Sequence, residues 1–146
     1  MKLTIELVPS TSWYSNVRSN VSGKEWDRLR RNSYKKANYK CEICGESGVD
    51  QGFNHPVECH EIWEYDDIFN EQILIDLISL CPLCHKTKHI GLAMNNGEED
   101  VVLEHMIKVN NISYEESYKK VIEAFDVWKE RNKKDWKINI EKLKSL

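Results

Sequence analysis

The chain has 146 residues, of which 40% are hydrophobic and 31% charged, with a net charge of −3. This size and composition predict one ordinary globular domain over residues 1–146. No segment approaches the roughly 20 apolar residues of a membrane helix, and the first residues lack the apolar run of a signal peptide. We therefore expect a cytoplasmic protein without membrane contact. Its five cysteines then favour metal or thiol chemistry over disulfides.

The first forty residues predict a strand and a basic helix. Apolar and polar residues alternate over 3–7, which is typical of a short half-buried strand. A helix is expected from Lys24 to Asn38, with Ser22 as its N-cap. Residues 18–40 hold eight Lys or Arg and two acids, a charge of +6. The outer face of this helix is equally consistent with a solvated surface and with nucleic-acid contacts, the contact candidates being Arg28, Arg31, Lys35 and Lys36.

The middle segment, 41–91, is acidic and rich in cysteine and histidine. Residues 41–85 contain ten acids and no Lys or Arg. We expect a strand over 39–45 that enters a tight Cys-x-x-Cys turn, and a second strand over 57–63. Residues 72–80 are apolar almost without interruption, so periodicity does not decide between strand and helix. A helix is expected from the second Cys-x-x-Cys pair to a C-cap at Gly91.

The last segment, 98–146, is predicted to be a helical extension. One helix is expected over 98–109, and a second to about 132, opened by a capping box of Ser113 and Glu116. Residues 136–140 predict a last strand that pairs with the first. The extension either packs on the middle segment or forms a dimer surface. The predicted fold class is α+β.

Four cysteines form two Cys-x-x-Cys pairs separated by 36 residues, Cys41 with Cys44 and Cys81 with Cys84. Such pairs supply four thiolates in tetrahedral geometry and favour Zn²⁺. A site of four cysteines leaves no open position, so we predict structural zinc. Two alternatives are four cysteines of an ordinary core and a redox dithiol.

Three histidines lie close to these pairs in the sequence: His60 in the second strand, and His85 and His89 four residues apart after Cys84. Three imidazoles can hold a second divalent ion, Mg²⁺, Mn²⁺, Ni²⁺ or Zn²⁺, and leave a position open for water or phosphate. The alternative for His85 and His89 is a solvated helix face.

The order of these residues resembles the HNH (His-Asn-His) endonucleases of bacteria and phages. Their pattern is Cys-x-x-Cys, then a strand reading apolar-Glu-apolar-His-His-Ile, then Asn-Leu-Ile-x-Leu-Cys-x-x-Cys-His-x-x-x-His. The chain has Cys-Glu-Ile-Cys at 41–44, Val-Glu-Cys-His-Glu-Ile at 57–62, and Asp-Leu-Ile-Ser-Leu-Cys-Pro-Leu-Cys-His-Lys-Thr-Lys-His at 76–89. The resemblance covers residues 41–90, about a third of the chain.

The resemblance implies a small ββα-metal module with zinc knuckles, in which a hairpin and a helix hold one catalytic divalent ion. His60, His85 and His89 would be its ligands. The chain departs from the family at two positions, because Glu61 stands where the general-base histidine is expected and Asp76 where the orienting asparagine is expected. Glu61 would be the base or an orienting group, and Asp76 would fix the hairpin. A second register places Cys59 on the metal and His60 as the base.

The resemblance therefore implies a metal-dependent endonuclease acting on DNA, with His60, Glu61 and Asp76 as catalytic candidates. The two departures and the acidic segment favour an alternative, a non-catalytic zinc-binding adaptor for nucleic acid or a protein partner. A third interpretation is a second structural zinc held by the histidines and Glu61.

Overall fold

The computed structural model describes residues 2–146, and over these residues the fold is α+β, as predicted. Three strands form one sheet in the order β1-β2-β3. The strands are β1 (Glu58–Asp66), β2 (Glu71–Leu80) and β3 (Lys137–Asn139). The helices are α1 (Val17–Asn20), α2 (Gly23–Lys36), α3 (Pro82–Lys88), α4 (Ile90–Asn95), α5 (Glu99–Asn110) and α6 (Tyr114–Arg131). Short 3₁₀ turns lie at Ser10–Ser12, Gly48–Gln51 and Glu141–Ser145. Within the described residues, no helix is both long and apolar enough to cross a membrane.

Strands β1 and β2 form an antiparallel hairpin that leads directly into α3. His60 pairs with Ile78 and Glu61 with Leu77, and the register shifts between Ile62 and Trp63. The ambiguous segment 72–80 is therefore a strand. Its apolar run is nearly continuous because both faces of the hairpin are covered, so that neither face needs polar residues.

The two faces of the hairpin pack into two separate cores. On one face, α2 and the C-terminal turn cover the first core, whose buried residues are Val17, Leu29, Leu74 and Leu77. On the other face lies a larger core, formed with the two Cys-x-x-Cys turns and helices α4, α5 and α6. Its buried residues include Leu80, Cys84, Ile90, Val102, Leu103, Met106 and Val121. This sandwich fixes which side of β1 each side chain faces, and hence which ones can share a site.

The expected strand over residues 3–7 is wrong. This N-terminal segment joins no sheet in the described structure, and its amide of Glu6 donates to the Lys88 carbonyl over 3.0 Å. The side chain of Asn110 holds both the amide and the carbonyl of Leu3, each over 2.7 Å. The alternation arises because Leu3, Ile5 and neighbouring apolar side chains pack on the larger core. One-sided burial of an extended segment produces this pattern without any strand partner.

Three further expectations need correction. Residues 39–45 form a turn, because Asn38 and Tyr39 take left-handed φ angles of 54° and 58° that reverse the chain after α2. Gly91 lies inside α4 and does not cap α3, because the chain bends at His89 and resumes helix at once. The last strand, β3, pairs in parallel with β2 and not with the first segment.

The two predicted N-caps, Ser22 and Ser113, are confirmed. The Ser22 side chain accepts the amide of Glu25 over 3.1 Å at the start of α2, and Ser113 accepts that of Glu116 over 3.1 Å at the start of α6. Both serines satisfy an amide that has no partner within its helix. The C-terminal segment is helical apart from β3 and the last 3₁₀ turn.

Candidate metal centres

The four predicted cysteines lie together and form one candidate metal centre. One Sγ from each of Cys41, Cys44, Cys81 and Cys84 lies within 4.8 Å of the others, and the Cys44 and Cys81 sulfurs are 3.6 Å apart. Three of the four residues are buried. Four thiols at this spacing form a closed set of soft ligands, compatible with a structural ion such as Zn²⁺.

Each pair occupies a tight turn that points both sulfurs inward. In the first turn, the amide of Cys44 donates to the Cys41 sulfur over 3.5 Å, and Gly45 takes a φ of 79° that closes the loop. In the second, Cys81 is the N-cap of α3, and its sulfur accepts the amide of Cys84 over 3.4 Å. Amide donors of this kind stabilise thiolates.

Charge repulsion within this group favours a bound cation. The Cys41 and Cys81 sulfurs raise the pKa of the Cys44 thiol, and the same crowding raises the pKa of the Cys84 thiol. The pKa of Cys41 falls instead, to about 6, because Cys44 donates to its thiolate. Without a cation the four groups therefore cannot all ionise together, whereas a divalent ion would hold all four as thiolates.

A fifth side chain, His105 of α5, contacts the cysteine group. Its Nε2 lies 3.2 Å from the Cys84 sulfur and 4.0 Å from that of Cys81, and the residue is buried. An imidazole N–H at this position would donate to a metal-bound thiolate and orient it. Sequence reasoning left His105 unassigned, because nothing in its spacing connects it with the cysteines.

The three predicted histidines form a second group. One ring nitrogen from each of His60, His85 and His89 lies within 4.8 Å of the others, and the ring centroids are 5.0 to 5.3 Å apart. His60 comes from β1, His85 from α3, and His89 from the bend that follows α3. The hairpin and the helix therefore bring together three residues that are up to 29 positions apart.

The protonation states of His60 and His89 suit the binding of a cation. Burial lowers the pKa of His60, and burial with the neighbouring imidazoles lowers the pKa of His89 to about 3. Both rings are therefore neutral near pH 7, as metal ligation requires. Within the described residues, both nitrogens of His60 and the Nδ1 of His89 are buried without a hydrogen-bond partner. Buried nitrogens of this kind are costly, and a shared divalent ion would satisfy one nitrogen of each ring that it binds.

Glu58 orients one of the three rings. Its carboxylate accepts from Nδ1 of His85 over 2.8 Å and from Nε2 of His55 over 2.7 Å. The bond from His85 holds the pKa of Glu58 below its ordinary value, although burial opposes this. A carboxylate bonded to Nδ1 leaves Nε2 of His85 free to face an ion. Sequence reasoning missed this role of Glu58 and the part played by His55.

A second carboxylate, from the N-terminal segment, lies beside His60. Oε2 of Glu6 is 3.6 Å from Nε2 of His60 and forms an ion pair with the buried Lys88. Burial opposes the ionisation of Glu6, but its contacts with His60 and Lys88 outweigh burial and lower its pKa to about 2. No spacing rule connects Glu6 with a motif that begins 35 residues later.

Glu61, Asp76 and Cys59 lie outside the histidine group in the described structure. Glu61 pairs with Leu77 on the α2 face of the hairpin, and its carboxylate accepts the amide of Val17 at 3.0 and 3.1 Å. Burial raises the pKa of Glu61, against the effect of this amide. Asp76 lies beside the register shift, where its carboxylate accepts the amide of Leu77 over 2.8 Å.

One cavity of about 1030 Å³ opens onto the three histidines. It follows the free edge of β1, since both His60 and Glu61, from opposite faces of the strand, line it. Trp13 stands at the rim with 43% of its surface exposed, and its ring is 6.3 Å from that of His89. The charged lining residues are Glu6, Arg18, Glu61, Glu64, Lys120, Glu123 and Arg131.

The four predicted nucleic-acid contacts of α2 do not line this cavity. Arg28 is paired with Glu25 on the same helix over 2.5 Å. Arg31, Lys35 and Lys36 lie on the same helix, which packs its opposite side on the hairpin. Contacts from these four side chains would therefore involve a surface separate from the histidine cavity.

Comparisons with protein-family models, with curated proteins and with solved structures find no match to this chain. The functional argument therefore depends on the two clusters and the cavity alone.

Proposed function

We propose that the chain is an HNH-type, metal-dependent endonuclease-like protein acting on DNA, with structural Zn²⁺ on its four cysteines. The observation that carries this proposal is the histidine group. Three imidazoles, supplied by a hairpin strand, the helix that follows it and the bend at the end of that helix, converge on an open cavity. Structural zinc sites are closed by four protein ligands, whereas three ligands leave a position for substrate or water.

His60, His85 and His89 would hold the catalytic ion, Mg²⁺, Mn²⁺, Ni²⁺ or Zn²⁺. A divalent ion in such a site polarises a phosphodiester and stabilises the charge that develops on its oxygens. Glu58 keeps the His85 ring in one orientation. Trp13 at the rim offers a face for base stacking, and Arg18 and Lys120 offer positive charge to the nucleic-acid backbone.

The position of Glu61 favours an orienting role over that of a base. Its carboxylate already accepts the amide of Val17, and this contact joins the start of α1 to β1. Asp76 likewise bonds within its own strand, as expected of a residue that stabilises the hairpin.

The same observation supports the alternative proposal, a non-catalytic zinc-binding adaptor. Glu61 stands at the position where the HNH pattern has its general base. If Glu61 serves only to hold α1, the chain can keep the fold of the module and lack the hydrolytic activity. Such an adaptor would bind nucleic acid or a protein partner through the cavity or the basic face of α2.

A plasmid-nicking assay with added Mg²⁺, Mn²⁺ or Ni²⁺ separates the two proposals. We expect the wild type to nick DNA and His85→Ala to lose cleavage. Glu104→Ala, an exposed position on α5 outside the cavity, serves as a control prepared in parallel. Glu61→Ala tests the base, since an orienting residue should lower cleavage only partly. Absence of metal-dependent cleavage by the wild type would leave the adaptor.

A further inference from the structure

The N-terminal segment carries a carboxylate into the histidine site. Glu6 lies on the extended segment before the first 3₁₀ turn, yet its Oε2 is 3.6 Å from Nε2 of His60. Two donors on one tetrahedral ion lie about 3.3 Å apart. The distance between Glu6 and His60 is therefore close to that of two ligands of the same metal.

The backbone holds Glu6 at this position by contacts at two points. Its own amide donates to the carbonyl of Lys88, one residue before His89. At the other point, Oδ1 of Asn110 accepts the amide of Leu3, and Nδ2 of Asn110 donates to the carbonyl of Leu3. The segment is thus tied to the end of α5 and to the end of α3, the helix that supplies His85 and leads into His89.

We propose that Glu6 is the fourth protein ligand of the ion held by His60, His85 and His89. The site would then have three nitrogens and one oxygen, a donor set suited to Zn²⁺, Ni²⁺ or Mn²⁺. A catalytic zinc ion can expand to five ligands, so a position for water or phosphate would remain beside the four protein ligands. The carboxylate would lower the net charge of the metal site from +2 to +1. This inference rests on the metal-binding part of the proposed function and not on hydrolysis.

Lys88 competes with a metal ion for the carboxylate of Glu6. Its ammonium forms an ion pair with Oε2 of Glu6 and donates to Oγ1 of Thr4 over 2.9 Å, and the residue is 5% exposed. Glu6 is not yet within 4.8 Å of all three imidazole donors, so ligation requires its side chain to turn from Lys88 toward the rings. The side chain is 33% exposed and faces the cavity, which leaves space for that rotation.

The ion pair with Lys88 gives a sharp test. Both Glu6→Gln and Lys88→Met break a buried pair, so both should lower the thermal stability of the protein. Their effects on metal should differ in sign. Glu6→Gln removes a ligand and should weaken binding by roughly 10- to 100-fold or more. Lys88→Met removes a competing cation and should leave binding unchanged or strengthen it.

The measurement is titration calorimetry of Ni²⁺ into full-length protein that already carries one zinc per chain. The double variant Glu6→Gln with Lys88→Met removes both charges and restores folding if the single variants unfold, and it should still bind Ni²⁺ weakly. Glu123→Gln changes an acid of α6 that lines the cavity but lies outside the histidine group, and this variant should bind Ni²⁺ as the wild type does.

Three outcomes would overturn the proposal: unchanged affinity in Glu6→Gln, an equal loss in Glu6→Gln and Lys88→Met, or no Ni²⁺ binding by the wild type. A wild type that binds Ni²⁺ with the expected pattern but does not cut DNA would contradict the nuclease proposal and leave the role of Glu6 intact.

Discussion

Gly48 is a position where the smallest substitution should disturb the packing beside the four cysteines. It begins the 3₁₀ turn Gly48–Gln51, which packs against Pro82 in the second Cys-x-x-Cys turn. Its amide donates to the Pro56 carbonyl over 2.7 Å. A Cβ at this position would stand 2.3 Å from the His55 carbonyl oxygen and 2.6 Å from Cδ of Pro82. Neither neighbour can rotate away, because one is backbone and the other is the ring of a proline between Cys81 and Cys84.

Relieving both contacts requires shifts of about 1 Å in each neighbour. Overpacking of this kind costs about 2–3 kcal/mol of folding free energy, which lowers the folding equilibrium constant by roughly 30- to 150-fold. Because Pro82 opens α3 between Cys81 and Cys84, Gly48→Ala should also release zinc to a chelator faster than the wild type does.

Urea unfolding of the zinc-loaded protein measures the effect, with Gly23→Ala as the matched control. Gly23 is the first residue of α2, and a Cβ there would meet no atom within 4 Å. That variant should gain about 0.5 kcal/mol, since alanine favours helix and restricts the unfolded chain. If Gly48→Ala were as stable as wild type, the packing of the 3₁₀ turn on Pro82 described above would be incorrect.

Three other substitutions test the contacts around the two clusters. His105→Phe keeps a ring in the larger core but removes the contact with Cys84, so zinc loss to a coloured chelator should accelerate by roughly 10-fold or more; an unchanged rate would mean that the contact is only packing. Glu58→Gln replaces an acceptor oxygen beside His85 with an amide, and calorimetry should show Ni²⁺ affinity lower by roughly 10-fold, whereas equal affinity would remove Glu58 from the site. Asn110→Ala leaves the backbone of the N-terminal segment without two hydrogen bonds and should cost about 1–3 kcal/mol in urea unfolding; faster proteolysis near the N-terminus would accompany this loss, and full stability would contradict the anchoring role.

The two candidate metal-ligand groups could be predicted from the sequence, because their members are separated by short spacings that are typical of metal ligands. Two Cys-x-x-Cys pairs place four sulfurs on tight turns, and the structure brings them within 4.8 Å of one another. His85 and His89 are four residues apart at the end of a helix, and β1 presents His60 toward them. Local chemistry sets these positions, since turn geometry and helical periodicity act over a few residues.

The alternation of residues 3–7 did not determine a strand, because a pattern of period two reports burial on one side and not a hydrogen-bonded partner. Whether such a segment pairs depends on what lies beside it, and in this fold Asn110 and Lys88 take the place of a neighbouring strand. The same limit applies to Glu6, which reaches the histidines from a segment more than 50 residues away in sequence.

By itself, then, the sequence determined the α+β fold class and the membership of the cysteine and histidine groups, since the short spacings along the chain indicate both. Only the tertiary structure decided that Glu61 faces α1 while Glu6 and Glu58 face the imidazoles. The physical reason is that a side chain's partners across a sheet or between segments depend on packing of distant residues. That packing is set by the burial of the whole apolar surface and leaves no local signature.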